Sequence, residues 1–169
     1  AAYTQEQDFT WGVLAINVNK SIYLPNEDSF IVIGVLDDDG KVVCNANVTL
    51  GIINPLNQKT ILTTSAGDIK ISPECTVLGV TELPDYYTSY SVNGVGNYSL
   101  NLTAVTANGV RNVVDSFVVQ SNVEFDVARQ SATRIYPPVP YVMKISIIAN
   151  EDYNGAINEY VPRSFDVSE

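Results

Sequence analysis

Apolar and polar residues alternate along most of this chain, the pattern of β-strands with one buried and one exposed face. Between positions 97 and 104, for example, every second residue is apolar and the residues between them are Asn, Ser, Asn and Thr. Alternation and a high content of Val, Ile, Thr and Tyr predict strands at 11–18, 29–36, 47–53, 60–64, 68–71, 98–105 and 113–120. Short strands at this spacing predict an antiparallel β-sandwich.

Two short segments have the composition of hairpin turns. Asp38-Asp39-Gly40 and Ala107-Asn108-Gly109 each stand between apolar runs, and Asn-Gly readily takes a positive φ. In contrast, no segment of about 12 residues has the apolar stripe of an amphipathic helix. We therefore expect an all-β protein.

The strand pattern restarts after residue 120. Further strands are predicted at 125–130, 141–149, 156–161 and 164–167, with a proline-rich corner at Pro137, Pro138 and Pro140. Four strands make half a sandwich, which buries too little apolar surface and leaves open sheet edges. We expect a neighbouring domain of the same protein, or self-association with another copy, to complete this second, smaller or incomplete β-sandwich unit.

This pattern divides the chain into three predicted parts. An N-terminal extension covers residues 1–13, a complete sandwich covers 14–122, and a partial β unit covers 123–169. The extension is a candidate donor strand for the open sheet of a neighbour. The alternative is an ordered segment of a longer protein. Since the chain starts at Ala1 without a Met or a charged leader, we expect either a removed signal peptide or a piece of something longer.

Charge and composition exclude several classes of function. Nine Lys and Arg against nineteen Asp and Glu give a net charge of −10, so the basic surface that nucleic acid or an anionic membrane requires is missing. The chain has no His, which removes Ser-His and Cys-His nucleophile systems and imidazole metal ligands. No apolar run approaches the roughly 18 to 20 residues of a transmembrane helix. We expect no transmembrane segment, no catalytic residues and no cofactor.

The cysteines and glycosylation motifs bear on the compartment. Cys44 and Cys75 fit no redox or zinc spacing, and a structural disulfide is expected if the protein is exported; two buried thiols in a cytosolic protein are the alternative. Four N-x-S/T tripeptides make candidate glycosylation sites, and alternation turns those near residues 47 and 97–101 outward. An ordinary polar sheet face explains them equally well. The candidates are Asn19, Asn47, Asn97 and Asn101.

The first part of the chain resembles a known family. A run over 19–28 with Lys20, Tyr23 and Pro25 is followed by an alternating strand, the Asp39-Gly40 turn, a small-residue strand and Pro55. Together with Gly96-x-Tyr98-x-Leu100, this pattern is similar to that of macroglobulin-type bacterial immunoglobulin-like domains of large cell-surface proteins, over roughly residues 17–106. The family usually has Gly where this chain has Asn26, so the turn needs an Asn that tolerates the left-handed conformation.

The resemblance extends to function. The remainder, which includes Arg129 and the closing 155–165 segment with Glu159, is similar to the start of a further immunoglobulin-like repeat. Such domains are spacers, stalks, adhesive modules or fibre subunits far more often than enzymes. The resemblance implies an immunoglobulin-like β-sandwich and an extracellular or cell-surface structural role.

Two clusters are candidate binding sites. Asp37, Asp38 and Asp39 offer carboxylates on a turn, a weak candidate calcium site; a solvated hairpin turn is the simpler interpretation. Tyrosines gather in the predicted loop 84–90, where aromatic rings with polar tips suit sugar or protein contacts. Packing between the sheet edge and the loop is the simpler interpretation there. The candidate ligand contacts are Tyr86, Tyr87 and Tyr90.

The lysines raise one further question. An intramolecular isopeptide bond of the kind found in bacterial pilins needs a buried Lys, an Asn or Asp partner and a nearby acid. Lys20 and Lys144 lie in suitable strand contexts, but the sequence identifies no partner for either of them. Exposed lysines are the simpler interpretation.

Two functions from different classes follow from these observations. The first is a non-catalytic subunit or module of a surface filament, pilus or stalk, assembled by β-strand addition between neighbouring subunits. The second is an adhesin module that binds glycan or host protein through the 84–90 tyrosine loop. An enzyme is not expected, because His and a nucleophile motif are both missing.

Overall fold

The alternating segments of the sequence form β-strands. The structure is a computed structural model and describes residues 4–7, 13–77, 81, 83–132, 140–163 and 165–168. These residues contain eleven strands and no helix. The strands are β1 (Leu14–Val18), β2 (Ile22–Tyr23), β3 (Asp28–Val35), β4 (Asn47–Ile53), β5 (Lys59–Thr63), β6 (Lys70–Ile71), β7 (Tyr86–Ser91), β8 (Gly96–Thr106), β9 (Gly109–Val119), β10 (Phe125–Gln130) and β11 (Lys144–Ala149).

The strands form three sheets. The first sheet has the order β1-β3-β7-β6, the second has the order β2-β9-β8-β4-β5, and the third consists of β10 and β11. Neighbouring strands are antiparallel except β2, which pairs with β9 in parallel through Ile22 and Val118. The chain therefore leaves the first sheet after β1, adds a short strand to the second sheet, and returns to the first sheet with β3.

The first two sheets pack face to face and bury one core between them. On each strand the residues at every second position are buried, as the alternation predicts. The first sheet contributes Leu14, Ile16, Val18, Ile31, Ile33, Val35 and Tyr86, and the second contributes Tyr23, Val48, Leu50, Ile52, Tyr98, Leu100, Leu102, Ala104, Phe117 and Val119. The prediction of an all-β protein built on a sandwich is confirmed.

Three aromatic rings fill one end of the core. Phe117 stacks on Tyr98 with ring centroids 4.9 Å apart and meets the edge of Tyr23 at 5.0 Å. The Tyr98 hydroxyl donates to the backbone carbonyl of Gly94 at 3.1 Å and accepts from its N–H at 3.0 Å. Because a buried hydroxyl is costly without a partner, these bonds fix the turn that leads into β8.

Several turns need a left-handed backbone. The two predicted turns are confirmed: Gly40 has φ 79° beside the Leu36–Val42 bridge, and Gly109 has φ 112° between β8 and β9. Asn26 has φ 69°, which confirms that it adopts the left-handed conformation where glycine is usual. Pro25 and Asn26 occupy the central positions of this turn, as in a type II β-turn.

Two of the observed strands were not predicted from the sequence. The segment 84–90 is not a loop: residues from Tyr86 onward form β7, a central strand of the first sheet that pairs with β3 and β6. The short strand β2 was also missed. Elsewhere the boundaries shift by a few residues, as for β1, which begins at Leu14; residues 11 and 12 of the predicted strand lie outside the described part.

The second β unit is smaller than predicted. The segment 125–130 forms β10 as expected, and the predicted strand 141–149 is shortened to β11. The predictions of strands at 156–161 and 164–167 are wrong, because residues 156–163 and 165–168 contain no strand; Ser164 lies outside the described residues, as does the predicted proline corner except Pro140. The division at residues 13 and 122 stays a prediction.

We predict that Asn26 is needed for its backbone conformation and not for its side chain, which is exposed. Asn26→Ala should lower the free energy of unfolding by about 1 kcal/mol, because the left-handed backbone conformation is strained for alanine. Asn26→Gly should leave stability within about 0.5 kcal/mol of the wild type, since glycine pays no such penalty. Urea denaturation of the two variants measures both values, and equal losses would contradict the prediction.

Candidate functional site

The candidate site lies where the third sheet meets the sandwich. β10 approaches β2, and the Arg129 N–H donates to the backbone carbonyl of Asn19 at 3.2 Å. We define the junction cluster as the charged residues at this boundary: Lys20, Glu27, Asp126, Arg129 and Glu159.

Lys20 joins two carboxylates from different parts of the chain. Its Nζ lies 2.9 Å from Glu27 Oε1 and 2.8 Å from Asp126 Oδ2. The exposed fractions of the three side chains are 14%, 28% and 17% for Lys20, Glu27 and Asp126. The simpler interpretation of Lys20 as an exposed lysine is therefore wrong, whereas Lys144 is exposed.

The backbone around Lys20 fixes these side chains. Glu27 follows the left-handed turn at Asn26, and its Oε2 accepts the Leu24 N–H at 2.8 Å, which leaves Oε1 for Lys20. The buried Tyr23 hydroxyl donates to Asn19 Oδ1 at 2.6 Å and accepts the Lys20 N–H at 3.2 Å. The geometry of the cluster thus depends on the turn and on a core tyrosine.

Burial and charge act in opposite directions on the Lys20 amine. Burial lowers its pKa, while the hydrogen bonds and charges of Asp126 and Glu27 raise it, and the balance leaves the pKa above its usual value. The pKa of Tyr23 is raised as well, mainly because burial disfavours the phenolate. At neutral pH the cluster therefore holds an ammonium between two carboxylates, against a neutral tyrosine whose ring centroid lies 5.9 Å from Nζ.

Arg129 holds three segments of the chain together. Its Nε and Nη2 donate to the two carboxylate oxygens of Glu159 at 3.3 and 3.2 Å, a bidentate pair. Its Nη1 donates to Gln7 Oε1 at 3.2 Å, and Gln7 Nε2 in turn donates to the Val18 carbonyl at 2.8 Å. Part of the predicted N-terminal extension, residues 4–7, therefore contacts both the sandwich and β10 of its own chain.

The three aspartates of the turn point to separate partners. Asp37 Oδ1 accepts the N–H groups of Asp39 and Lys41, and Asp38 pairs with Arg111 at 2.6 Å. The hydrogen bond from Arg111 is the main reason that the pKa of Asp38 is lowered. Among the described residues, no group of three or more Cys, Asp or Glu side chains is placed to hold a metal ion.

The tyrosines of β7 face opposite sides of the first sheet. Tyr86 is completely buried, so its side chain is not available to a ligand. Its hydroxyl donates to the Val43 carbonyl and accepts the Ala46 N–H at 3.0 Å, and burial raises its pKa. Tyr87 and Tyr90 are half-buried; Tyr87 packs against Phe30 and Tyr90 against Tyr98.

The predicted disulfide is present. Cys44 and Cys75 are bonded, with Cα atoms 5.8 Å apart. Cys44 precedes β4 of the second sheet, and Cys75 follows β6 of the first sheet, so the bond joins loops of the two sheets beside the Tyr86 hydroxyl.

The candidate glycosylation sites divide into two groups. Asn47, Asn97 and Asn101 are exposed on the outer face of the second sheet, as the alternation predicted. Asn19 is half-buried, and its Oδ1 accepts hydrogen bonds from Tyr23 and from the Phe30 N–H at 3.0 Å. Asn19 therefore has a structural role at the junction.

The pairing within the junction cluster could not be predicted from the sequence. Lys20 and Asp126 are separated by 106 positions, and each is surrounded by ordinary strand residues. Two local signals were present: Lys20, a candidate for an isopeptide bond, and the acid at Glu27, which follows the Pro-Asn turn.

Comparisons with known proteins give no family assignment. No protein-family model matches the chain, and no curated protein has a significant sequence match to it. In the described part of the chain, no helix has the length and apolar character needed to cross a membrane.

We predict that the Tyr86 hydroxyl stabilises the disulfide-bearing loop. Tyr86→Phe should lower the free energy of unfolding by about 1–3 kcal/mol, because it leaves a buried carbonyl and N–H without their partner. Tyr87→Phe is the matched control on the opposite face of β7 and should change stability by less than about 0.5 kcal/mol. Urea denaturation compares the two variants, and similar losses would contradict the assignment.

We also predict that the disulfide contributes to stability. The Cys44→Ser/Cys75→Ser variant should lose roughly 3 to 4 kcal/mol of unfolding free energy, the chain-entropy value for a loop of this length. In chemical denaturation, a reducing agent should lower the unfolding free energy of the wild type by the same amount. It should not change the unfolding free energy of the variant. Thiol titration of the unreduced protein should find no free cysteine.

Proposed function

We propose that this chain is a non-catalytic, immunoglobulin-like structural subunit or module of an extracellular filament, pilus or stalk. In this proposal, neighbouring units associate by β-strand addition at the third sheet. The outer edge of β11, which pairs with no further strand among the described residues, is the observation that carries the proposal. The disulfide, the strand order and the charge of the chain support it.

The strand order supports the immunoglobulin-like assignment. Sheets of the orders β1-β3-β7-β6 and β2-β9-β8-β4-β5 correspond to the two sheets of that fold, with β2 paired in parallel to the last strand. Tyr98, near the start of β8, bonds back to the backbone of Gly94, as the tyrosine corner of such domains does. The disulfide differs, because Cys44 and Cys75 join loops and not the central strands.

The third sheet supports assembly. Within the described residues it has only two strands, and a two-stranded ribbon is marginally stable by itself. Large apolar residues in and beyond it are exposed, among them Val142, Ile148, Ile157, Tyr160 and Val167. An added strand would pair the free backbone groups of β11 and cover part of this apolar surface.

The register of β11 determines which of its backbone groups point away from β10. Asn150 N–H donates to the Glu124 carbonyl at 3.0 Å, so the even-numbered residues of β11 direct their N–H groups toward β10. Ile145, Ile147 and Ala149 consequently direct theirs to the outer edge. On the other side, β10 approaches the sandwich through the Arg129–Asn19 bond, which leaves the outer edge of β11 for a neighbour.

The compartment is proposed from the disulfide and the surface. Disulfides persist in oxidising, extracytoplasmic environments. Three N-x-S/T asparagines are exposed, and the net charge of −10 favours a soluble exterior. The adhesin alternative loses support, because Tyr86 is buried and the 84–90 segment is mostly strand.

We predict that the wild-type chain associates through β11. Light scattering should show a molar mass that rises with concentration, and electron microscopy should show fibres at high concentration. Ile147→Pro should reduce both, because it removes an N–H from the outer edge without removing a ladder bond to β10. Ile147→Val keeps that N–H and is the matched control.

A wild-type chain that remains a compact monomer at high concentration, with no fibres, would refute the filament proposal. Hydrogen exchange provides a second measurement, since the amides of Ile145 and Ile147 should become protected only on association. Deletion of residues 1–13 tests whether the N-terminal extension supplies the added strand. Association should be lost if it does and retained if it does not.

A further inference from the structure

The junction cluster contains the three groups that amide formation requires. A primary amine, Lys20 Nζ, lies within hydrogen-bond distance of two carboxylates from separate segments, at 2.8 Å from Asp126 Oδ2 and 2.9 Å from Glu27 Oε1. We propose that Lys20 and Asp126 condense to an intramolecular isopeptide bond, with Glu27 as the acid–base group that transfers the protons.

Proximity is the first argument. The 2.8 Å hydrogen bond between Lys20 Nζ and Asp126 Oδ2 holds the amine against the carboxyl group whose carbon, Cγ, it would attack. Groups held in near-attack contact react with effective molarities of about 10⁵–10⁸ M, which compensates for the low intrinsic reactivity of a carboxylic acid. The fold holds this pair although 106 positions separate the two residues.

The different settings of the two carboxylates decide their roles. Glu27 Oε2 accepts the Leu24 N–H at 2.8 Å, which holds Oε1 2.9 Å from Lys20 Nζ, within reach of the protons of the amine. Asp126 is the less exposed of the two, at 17% against 28% for Glu27. Asp126 also makes the shorter contact with Nζ, 2.8 Å against 2.9 Å for Glu27, so its carboxyl carbon is assigned as the electrophile.

The reaction balances in atoms and charge. A proton passes from the Lys20 ammonium to Asp126 within their hydrogen bond, which leaves a neutral amine and a neutral acid. The Nζ lone pair attacks Cγ to form a C–N bond, Glu27 takes a proton from nitrogen and returns it to the departing hydroxyl, and the C–O bond breaks. The products are a secondary amide and one water molecule, and no oxidant or reductant is needed.

The surroundings favour the neutral product. The resting pair is ionic, since the acids hold the pKa of Lys20 above its usual value, although burial alone would lower it. An ion pair at a half-buried site retains a desolvation cost, and conversion to an uncharged amide removes both charges. The buried Tyr23 ring, 5.9 Å from Nζ, forms one apolar wall of the site.

The bond would tie the third sheet covalently to the sandwich. It links the segment between β1 and β2 to β10, where the described part of the chain otherwise shows non-covalent contacts such as the hydrogen bond from the Arg129 N–H to the Asn19 carbonyl. The bond forms within one molecule, so it does not depend on the assembly proposed above.

Intact-mass spectrometry of the folded, disulfide-reduced wild-type protein tests the proposal. The measured mass should fall below the sequence mass by about 18 Da, the mass of the water lost in this modification. Tryptic digestion should give a branched peptide that joins residues 1–41, uncleaved after Lys20, to residues 112–129. Fragmentation should locate the link at Lys20 and Asp126.

Matched variants separate the covalent bond from an ordinary ion pair. Lys20→Arg keeps the positive charge but removes the amine nucleophile, and Asp126→Ala removes the electrophile; both should have the full sequence mass. Glu27→Gln keeps the size of the side chain but not the base, and it should form the bond at least tenfold more slowly. Circular dichroism checks that each variant is folded.

The wild-type measurement alone can overturn the proposal. A folded wild-type chain that keeps its full mass after prolonged incubation at several values between about pH 5 and pH 9 would show an ion pair only. A mass loss confined to residues 1–41 would place the bond at Glu27 and would equally refute Asp126 as the partner.

Discussion

Burial of one face of each of two sheets is the interaction on which the other features of this protein depend. Because the side-chain period of a strand is two, burial of one face also fixes which residues face solvent. The exposed asparagines of β8, the outward Tyr87 and the inward Tyr86 all follow from that single choice of face. Aromatic side chains with hydroxyl groups then anchor the loops, since each buried hydroxyl must find a partner at the rim of the core.

The junction cluster is a consequence of the same packing. The chain leaves the first sheet after β1 so that β2 can pair with β9, and the segments on either side of β2 bring Lys20 and Glu27 to the rim of the sandwich. There β10 supplies Asp126, and the ammonium lies between two acids at a half-buried position. Half-buried charges are costly unless they are paired. The contact between Lys20 and Asp126 is therefore either a lasting ion pair or the ion pair from which the proposed isopeptide bond forms.

The third sheet differs from the sandwich in how much of its apolar surface is buried. The two sheets of the sandwich bury a shared core between them, whereas the third sheet is a two-stranded ribbon with several exposed apolar side chains among the described residues. An unpaired strand edge presents backbone N–H and C=O groups that can pair with another chain. This contrast, and not any catalytic geometry, connects the structure to the proposed role in assembly.

The sequence by itself determined the all-β class, most strands, the outward asparagines, the left-handed turn at Asn26 and the cysteine pair, because each depends on local alternation, turn chemistry or a simple count. The strand prediction missed β7, because its Tyr, Ser and Thr residues have the composition of a polar loop. Pairing with β3 and β6 makes this segment a central strand. The strand prediction was also wrong at 156–161, where apolar and polar residues alternate but the segment does not pair with any strand in the described part of the chain. Only the tertiary structure decided that Lys20 meets Asp126, because a contact across 106 positions is set by how the sheets pack and leaves no trace in local pattern.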